Sequence, residues 1–121
     1  MTRPIPKGNP ELVRLIVQLR RAARSHHAPI WGRVADRLER SRHRGDPINV
    51  GHLERLAEPN DTVVVPGKLL AEGPLSKRLT VAAFAYSAQA RGKIHAAGGT
   101  AITLDDLLRS KPDGAGVRLL A

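Results

Sequence analysis

Apolar residues in the first third of the chain recur every three to four positions, the spacing of one helix face. Leu12, Leu15, Ile16, Leu19, Ala22 and Ala23 share such a face, Arg14, Gln18 and Arg21 lie opposite, and Val13 and Val17 form a flank beside Arg20 and Arg24. Asn9 suits the N-cap and Pro10 the first turn, so a helix is predicted from Pro10 to about Arg24 or Ser25. Upstream, Pro4, Pro6 and Gly8 forbid helix, and residues 1–9 read as a flexible basic arm. After the link Ser25-His26-His27-Ala28, Pro29 opens a second helix over about Ile30 to Arg40. On it Val34, Ala35 and Leu38 fall within about 60° of Trp31, while Arg33, Arg37 and Arg40 gather on the far side. Asp36 is in reach of Arg33 or Arg40, and a loop carrying Arg42, His43 and Arg44 closes at Gly45-Asp46-Pro47.

The period then changes. Asn49 can cap a short helix from about Val50 to Ala57, stopped by Pro59, although Gly51 and His52 are weak helix formers. Thr62 to Val65 is a β-branched run and reads as a strand, followed by Pro66-Gly67 at the centre of a type II turn with Lys68 beside it. A second strand is predicted over roughly Arg78 to Phe84, entered through Gly73-Pro74 and Lys77-Arg78. Ser87 caps a helix from Ala88 to Ala97 with Gly98 at C′, and Thr100 to Ile102 is a short strand. Thr103 caps a helix over about Leu104 to Ser110, and Val117 to Leu120 closes as a strand. The class is therefore α/β: a basic helical part (10–58) preceded by the arm (1–9) and followed by an α/β core (59–121). At 121 residues this is one domain.

Charge sharpens the picture. Twenty Lys and Arg stand against eleven Asp and Glu, for a net charge of +9. Residues 1–44 hold eleven of the cations and three of the acids, net +8, so nearly all of the excess is in the first third. Eight arginines fall between positions 20 and 44, opposed there by Asp36 and Glu39. Solvated surfaces are mixed in sign, so this bias points to a polyanion, nucleic acid before membrane surface. Arg outnumbers Lys fifteen to five, and a guanidinium forks onto phosphate oxygens where an ammonium is a point charge.

Catalytic and cofactor patterns fail on spacing. There is no cysteine for a disulfide, a zinc thiolate or a thiol nucleophile. Gly67-Lys68 would need a Gly at position 62 to end a phosphate loop, and Thr62 is there. Gly98-Gly99 follows a helix where a dinucleotide fingerprint must precede one, and Ser87 lacks the flanking glycines of a nucleophile elbow. The histidines (26, 27, 43, 52, 95) have no metal-site spacing, and Asp105-Asp106 suits the first turn of a helix. No enzyme, cofactor, metal or small-molecule substrate is expected. The longest apolar run, Val81 to Tyr86, is too short to span a bilayer, and the first residues lack the apolar stretch of a secretory signal. A cytoplasmic protein is the expectation. Single-strand binders stack bases on exposed aromatics, and Trp31, Phe84 and Tyr86 are the only three aromatics, so phosphate and shape contact to structured nucleic acid is the expected mode.

An ordered set of segments carries a family resemblance. Asn9-Pro10-Glu11-Leu12 through Arg20 comes first, then Ile30-Trp31, Val34-Ala35, Leu38-Glu39-Arg40 and Ile48-Asn49-Val50. Val63-Val64-Val65-Pro66-Gly67-Lys68-Leu69-Leu70, Gly73 and Thr80-Val81-Ala82-Ala83-Phe84 follow, with Ser87-Ala88, Ala90, Lys93-Ile94 and Ala97-Gly98-Gly99 after them. Over about residues 9 to 120 this resembles the archaeal and eukaryotic ribosomal protein family "L eighteen e", related to bacterial ribosomal protein "L fifteen". The resemblance implies an irregular superhelical arrangement of short strands and helices, and no catalysis. It implies a structural component of the large subunit, held on large-subunit ribosomal RNA beside neighbouring ribosomal proteins. The lack of longer tails favours an archaeal-type member. Expected RNA contacts are Arg3 and Lys7 of the arm, Arg20, Arg21 and Arg24, then Arg33, Arg37 and Arg40, Arg42 and Arg44 of the loop, Lys68 beside the turn, and Lys77 and Arg78. A free-standing nucleic-acid-binding protein is the competing reading.

Overall fold

Three successive valines, Val63 to Val65, set the architecture. A strand with apolar side chains pointing alternately up and down must be covered on both faces. The computed structural model describes residues 10–44 and 47–120, and of 41–44 the backbone alone. The arm with Arg3 and Lys7, and the Gly45-Asp46 closure, lie outside these residues. The element order is α1 (Pro10–Ser25), α2 (Pro29–Arg44), β1 (Ile48–Asn49), α3 (Val50–Leu56), β2 (Thr62–Leu70), β3 (Thr80–Tyr86), α4 (Ala88–Ala96), β4 (Thr100–Thr103), α5 (Leu104–Ser110) and β5 (Val117–Leu119). This is the α/β class predicted, with the basic helices leading.

All described strand pairs are parallel. One edge of β2 carries β3, which carries β4 in turn. The other edge is shared end to end: β5 pairs Thr62 to Val64 and β1 pairs Leu69 and Leu70. Moving across the sheet from β1 to β4, the crossovers through α3 and α4 lie on one face. The return from β4 to β5 through α5 lies on the other, as a constant crossover hand requires. Val63, Val65, Val81 and Ala83 pack with Val50, Leu53, Ala90 and Ile94 of α3 and α4. Val64 and Ala82 face Leu12, Leu15, Ile16 and Leu19 of α1, Trp31, Val34, Ala35 and Leu38 of α2, and Leu104 and Leu107 of α5. Trp31 is fully buried, and its indole N–H donates to Pro112 O at 2.8 Å, tying α2 to the segment before β5.

Two sequence expectations change. Pro66-Gly67 makes no type II turn. β2 runs through it to Leu70 with a bulge, Val65 opposing Ala83 and Lys68 opposing Ala85, because both flanks are held by the ladder to β3. The second helix runs on to Arg44, so Arg42 and Arg44 sit on helix rather than in a loop. Between Arg33 and Arg44 no Gly or Pro interrupts the run, and cations are favoured near a helix C-terminus. Smaller shifts put the start of β3 at Thr80 rather than Arg78 and add the two-residue β1.

The weak formers in α3 have structural work. Gly51 N–H donates to Glu72 O at 3.0 Å, and the His52 ring Nδ1 accepts from Asn49 N–H at 3.0 Å. Gly51 lies where the chain crosses Gly73, and a Cβ on Gly73, whose φ is 94°, would come within 2.8 Å of Gly51 Cα. Gly98 takes the C′ position of α4 at φ 84°, with Gly99 N–H bonded to Ile94 O.

Tyr86 closes the sheet internally. Its hydroxyl accepts from Ala83 N–H at 3.1 Å and lies 2.7 and 2.6 Å from the carbonyl oxygens of Val81 and Ile102, between which its one proton is shared. Burial pushes the phenol up from 10.0 to about 12.

Gly73→Ala meets both a left-handed φ and a backbone neighbour, so it is expected to lower unfolding free energy by about 2–4 kcal/mol in urea titration. A loss below about 0.5 kcal/mol would contradict the close crossing. The raised Tyr86 phenol contributes fully below pH 10, where both folded and unfolded chains hold the proton. Between pH 10 and about 12 the unfolded chain alone releases it, so stability falls as pH rises. Over that window wild type should lose about 1–2 kcal/mol more than Tyr86→Phe, the ring's partial exposure having been allowed for.

Candidate nucleic-acid interface

The helices α1 and α2 form a hairpin. Ala28 N–H reaches Ala23 O at 3.0 Å and His27 sits at φ 50°, so α1 ends as α4 does, with a histidine in the position a glycine would occupy more easily. Gly32 of α2 faces Ala23 of α1, and the small pair lets the two helices approach. The leucine and isoleucine face of α1 lies against α2 and α5, and α2 lies on β2. With the apolar faces inward, the polar faces of both helices turn outward.

On α1 the outward positions are Arg14, Val17, Arg21 and Arg24; on α2 they are Arg33, Arg37 and Arg40. Arg14 was not anticipated as part of this surface. It stands seven residues before Arg21, about 20° away around the helix, and that angle was the available signal. Its guanidinium is 3.7 Å from the Glu11 carboxylate, both groups largely in solvent, an arrangement contributing at most a few tenths of a kcal/mol. Among the described residues, Arg21, Arg24, Arg33, Arg37, Arg40, Lys68 and Arg78 form no ion pair. All seven are exposed.

Other cations are committed within the fold. Arg20 lies in the seam between the helices, its guanidinium 2.5 Å from Glu39 Oε1 and 3.1 Å from Asp36 Oδ1. The Glu39 side chain is only 9% exposed, so its charge depends on such a partner. Asp36 thus reaches across to α1 for Arg20, where the sequence alone had placed it beside Arg33 or Arg40. Lys77 Nζ donates to Ala57 O at 2.6 Å, the carbonyl of the residue that ends α3. Lys93 Nζ donates to Ala71 O and Gly73 O, both at 2.8 Å. Arg91 stands 4.9 Å over the Tyr86 ring, and Arg118 pairs with Asp61 at 2.9 Å.

The segment from Ala71 to Leu79 is held at several points. Glu54 accepts from Ser76 Oγ at 2.7 Å, Ser76 N–H at 2.9 Å and Lys77 N–H at 3.3 Å. These bonds, the Ser76 hydroxyl first, hold its carboxyl below the ordinary range. Asp61 is lowered likewise by Glu58 N–H and Arg118. An open groove of about 840 Å³ beside this segment is lined by Asn49, Glu72, Gln89 and Lys93. Among the described residues no three His, Asp or Glu gather where they could hold a metal ion, and no helix is long and apolar enough to cross a membrane.

The expected contacts therefore sort by geometry. Arg21, Arg24, Arg33, Arg37 and Arg40 share the outer side of the hairpin. Lys68 and Arg78 are exposed on the sheet portion, Lys68 just past the β2 bulge and Arg78 ahead of β3. Arg20 and Lys77 serve internal bonds. Among the described residues there is no aromatic platform, since Trp31 is buried, Phe84 packs against the core layer under α1 and α2, and the Tyr86 ring is covered by Arg91.

Comparisons with known proteins agree with the sequence resemblance. A family model described as "Ribosomal protein 60S L18 and 50S L18e" matches residues 1–121. The chain is 45% identical over 119 residues to large ribosomal subunit protein eL18 of Pyrobaculum aerophilum, covering 97% of this chain and 98% of that protein. It is 43% identical over 114 residues to the protein of the same name from Archaeoglobus fulgidus, covering 94% and 97%. The protein of that name from Haloarcula marismortui is 44% identical over 114 residues, with the same coverage.

Like charges three or four residues apart on a helix repel by about 0.2–0.5 kcal/mol per pair. Replacing Arg33, Arg37 and Arg40 together by Gln should accordingly leave thermal stability unchanged or raise it by up to about 1 kcal/mol. A clear fall in melting temperature would mean that these side chains hold the fold together.

Proposed function

Because the chain belongs to the family of ribosomal protein 60S L18 and 50S L18e, whose members are large-subunit structural proteins and not enzymes, we propose that it binds large-subunit ribosomal RNA through the outer arginines of the α1–α2 hairpin. The observation that carries this reading is the row Arg33, Arg37 and Arg40, facing solvent beside Arg21 and Arg24 with no carboxylate paired to any of them among the described residues. A guanidinium without an internal partner can fork onto two phosphate oxygens. The helix spacing sets such groups along a line suited to the backbone of a folded RNA. Lys68 and Arg78 add contacts from the sheet portion, and Arg3, Lys7, Arg42 and Arg44 are proposed as further RNA contacts, their side chains lying outside the described residues. The protein works in the cytoplasm, within the ribosome, beside neighbouring large-subunit proteins.

The physical role is orientation. The sheet with its two helical layers is stiff, because its side chains are packed on both faces and its connections are pinned by internal hydrogen bonds. An RNA segment gripped by one side is thereby set at a defined angle to whatever meets the other. Binding releases counterions condensed on the RNA, so affinity depends steeply on salt.

With about six phosphates neutralised, log K against log salt for a large-subunit ribosomal RNA fragment should have a slope near −4 to −5. Replacing Arg33, Arg37 and Arg40 by Gln should weaken binding and flatten that slope by about 2–3. A wild-type slope near zero would overturn the mechanism. Equal affinity for duplex DNA, together with a pool sedimenting apart from large subunits, would favour a free-standing nucleic-acid-binding protein instead.

A further inference from the structure

The sequence sets Asp36 three residues after Arg33 and four before Arg40, the two spacings at which helix side chains meet. At about 100° per residue, the aspartate lies about 40° from Arg40 and about 60° from Arg33 around α2. Left on its own helix, this carboxylate would compete with a phosphate for both arginines. The structure turns it the other way. Its Oδ1 lies 3.1 Å from the Arg20 guanidinium, which comes from α1.

Arg20 is itself fixed. The Glu39 carboxylate, nearly buried in the seam, holds the same guanidinium nitrogen at 2.5 Å. The Arg20 side chain retains 28% exposure, against 55% for Arg14 farther along the same helix. Glu39 orients the guanidinium, and the guanidinium faces Asp36. Both acids of α2 are drawn toward the seam, while Arg33, Arg37 and Arg40 stand outside it without a carboxylate partner among the described residues.

We infer that Arg20 is a positioning residue for RNA binding: it draws Asp36 across the helix seam and so keeps Arg33 and Arg40 available to phosphate. This rests on the RNA-binding reading above and gives Arg20 a different part in it. Arg20 acts through other side chains instead of meeting the RNA. It also explains how α2 carries two acids within its basic run while Arg33, Arg37 and Arg40 keep no carboxylate partner among the described residues.

The test compares the effect of Asp36→Asn in two backgrounds, with a large-subunit ribosomal RNA fragment as the probe. In Arg20→Met/Glu39→Gln both halves of the seam pair are removed, so neither leaves an uncompensated charge, and Asp36 turns to Arg33 and Arg40. This variant should bind more weakly than wild type, with a flatter salt slope. Adding Asp36→Asn to it should then restore affinity by about threefold to fivefold and bring back the slope, whereas Asp36→Asn in the wild-type chain should change affinity by less than about twofold. Equal gains in the two backgrounds would overturn the proposal, because a general effect of removing one negative charge does not depend on Arg20. Absence of any gain in the Arg20→Met/Glu39→Gln background would overturn it too, and would point to direct RNA contact by Arg20. If that background melts below the assay temperature, Arg20→Gln/Glu39→Gln replaces it. A neutral amide at position 20 carries no charge to hold Asp36, so Asp36→Asn should again give more than in wild type, and an equal gain refutes the idea. Failure of the wild-type chain to bind with a salt-dependent slope would count against the parent reading instead.

Discussion

The strand β2 is paired along both edges and covered on both faces, and the rest of the molecule follows from that. Buried backbone amides and carbonyls must be satisfied, and the parallel ladders to β3, β5 and β1 do this over nearly its whole length. Its alternating side chains then demand two separate apolar layers, one built by α3 and α4 and the other by α1, α2 and α5. Each helix gives one face to that requirement. The opposite faces of α1 and α2 are left with no packing duty, and there the chain places its arginines.

Cations in this protein have two occupations, and the difference lies in what surrounds them. Lys77 and Lys93 each donate to backbone carbonyls that the irregular segment between β2 and β3 and the end of α3 leave without a ladder partner. Arg20 neutralises carboxylates in the helix seam. The bonds of Lys77 to Ala57 and of Arg20 to Glu39 are partly buried, where the local dielectric makes them stronger than in water. The arginines of the outer face have water around them and like charges beside them. That repulsion opposes folding slightly and favours any polyanion that relieves it.

A fold of this kind needs few exceptional residues, and those few sit where backbones cross. Gly73 runs against Gly51 at the junction of β1 and α3, and Tyr86 takes three backbone groups of β3 and β4 onto one hydroxyl. Both serve the same end. They hold the sheet portion together under the hairpin.

The helices, their caps and the arginine row could be read from the chain because they rest on local spacing. Leu12, Leu15, Ile16 and Leu19 face inward as the helical period requires, Ser87 and Thr103 accept from the amides three residues on, and Leu104–Ser110 is the helix expected. Pro66-Gly67 was misread because a turn and a bulge have the same local preference, and the ladder partners that separate them lie some twenty residues away. The helix α2 continues past Arg40 because no Gly or Pro stands between Arg33 and Gly45 to end it. Arg20 and Lys77 are indistinguishable in sequence from their exposed neighbours. Spacing along one helix places an arginine on a flank, but whether that flank meets water or a carboxylate depends on the second helix packed against it. Sequence determined which residues are charged and which way each helix must face; only the packing of those helices decided which charges are spent inside the protein and which remain for a partner.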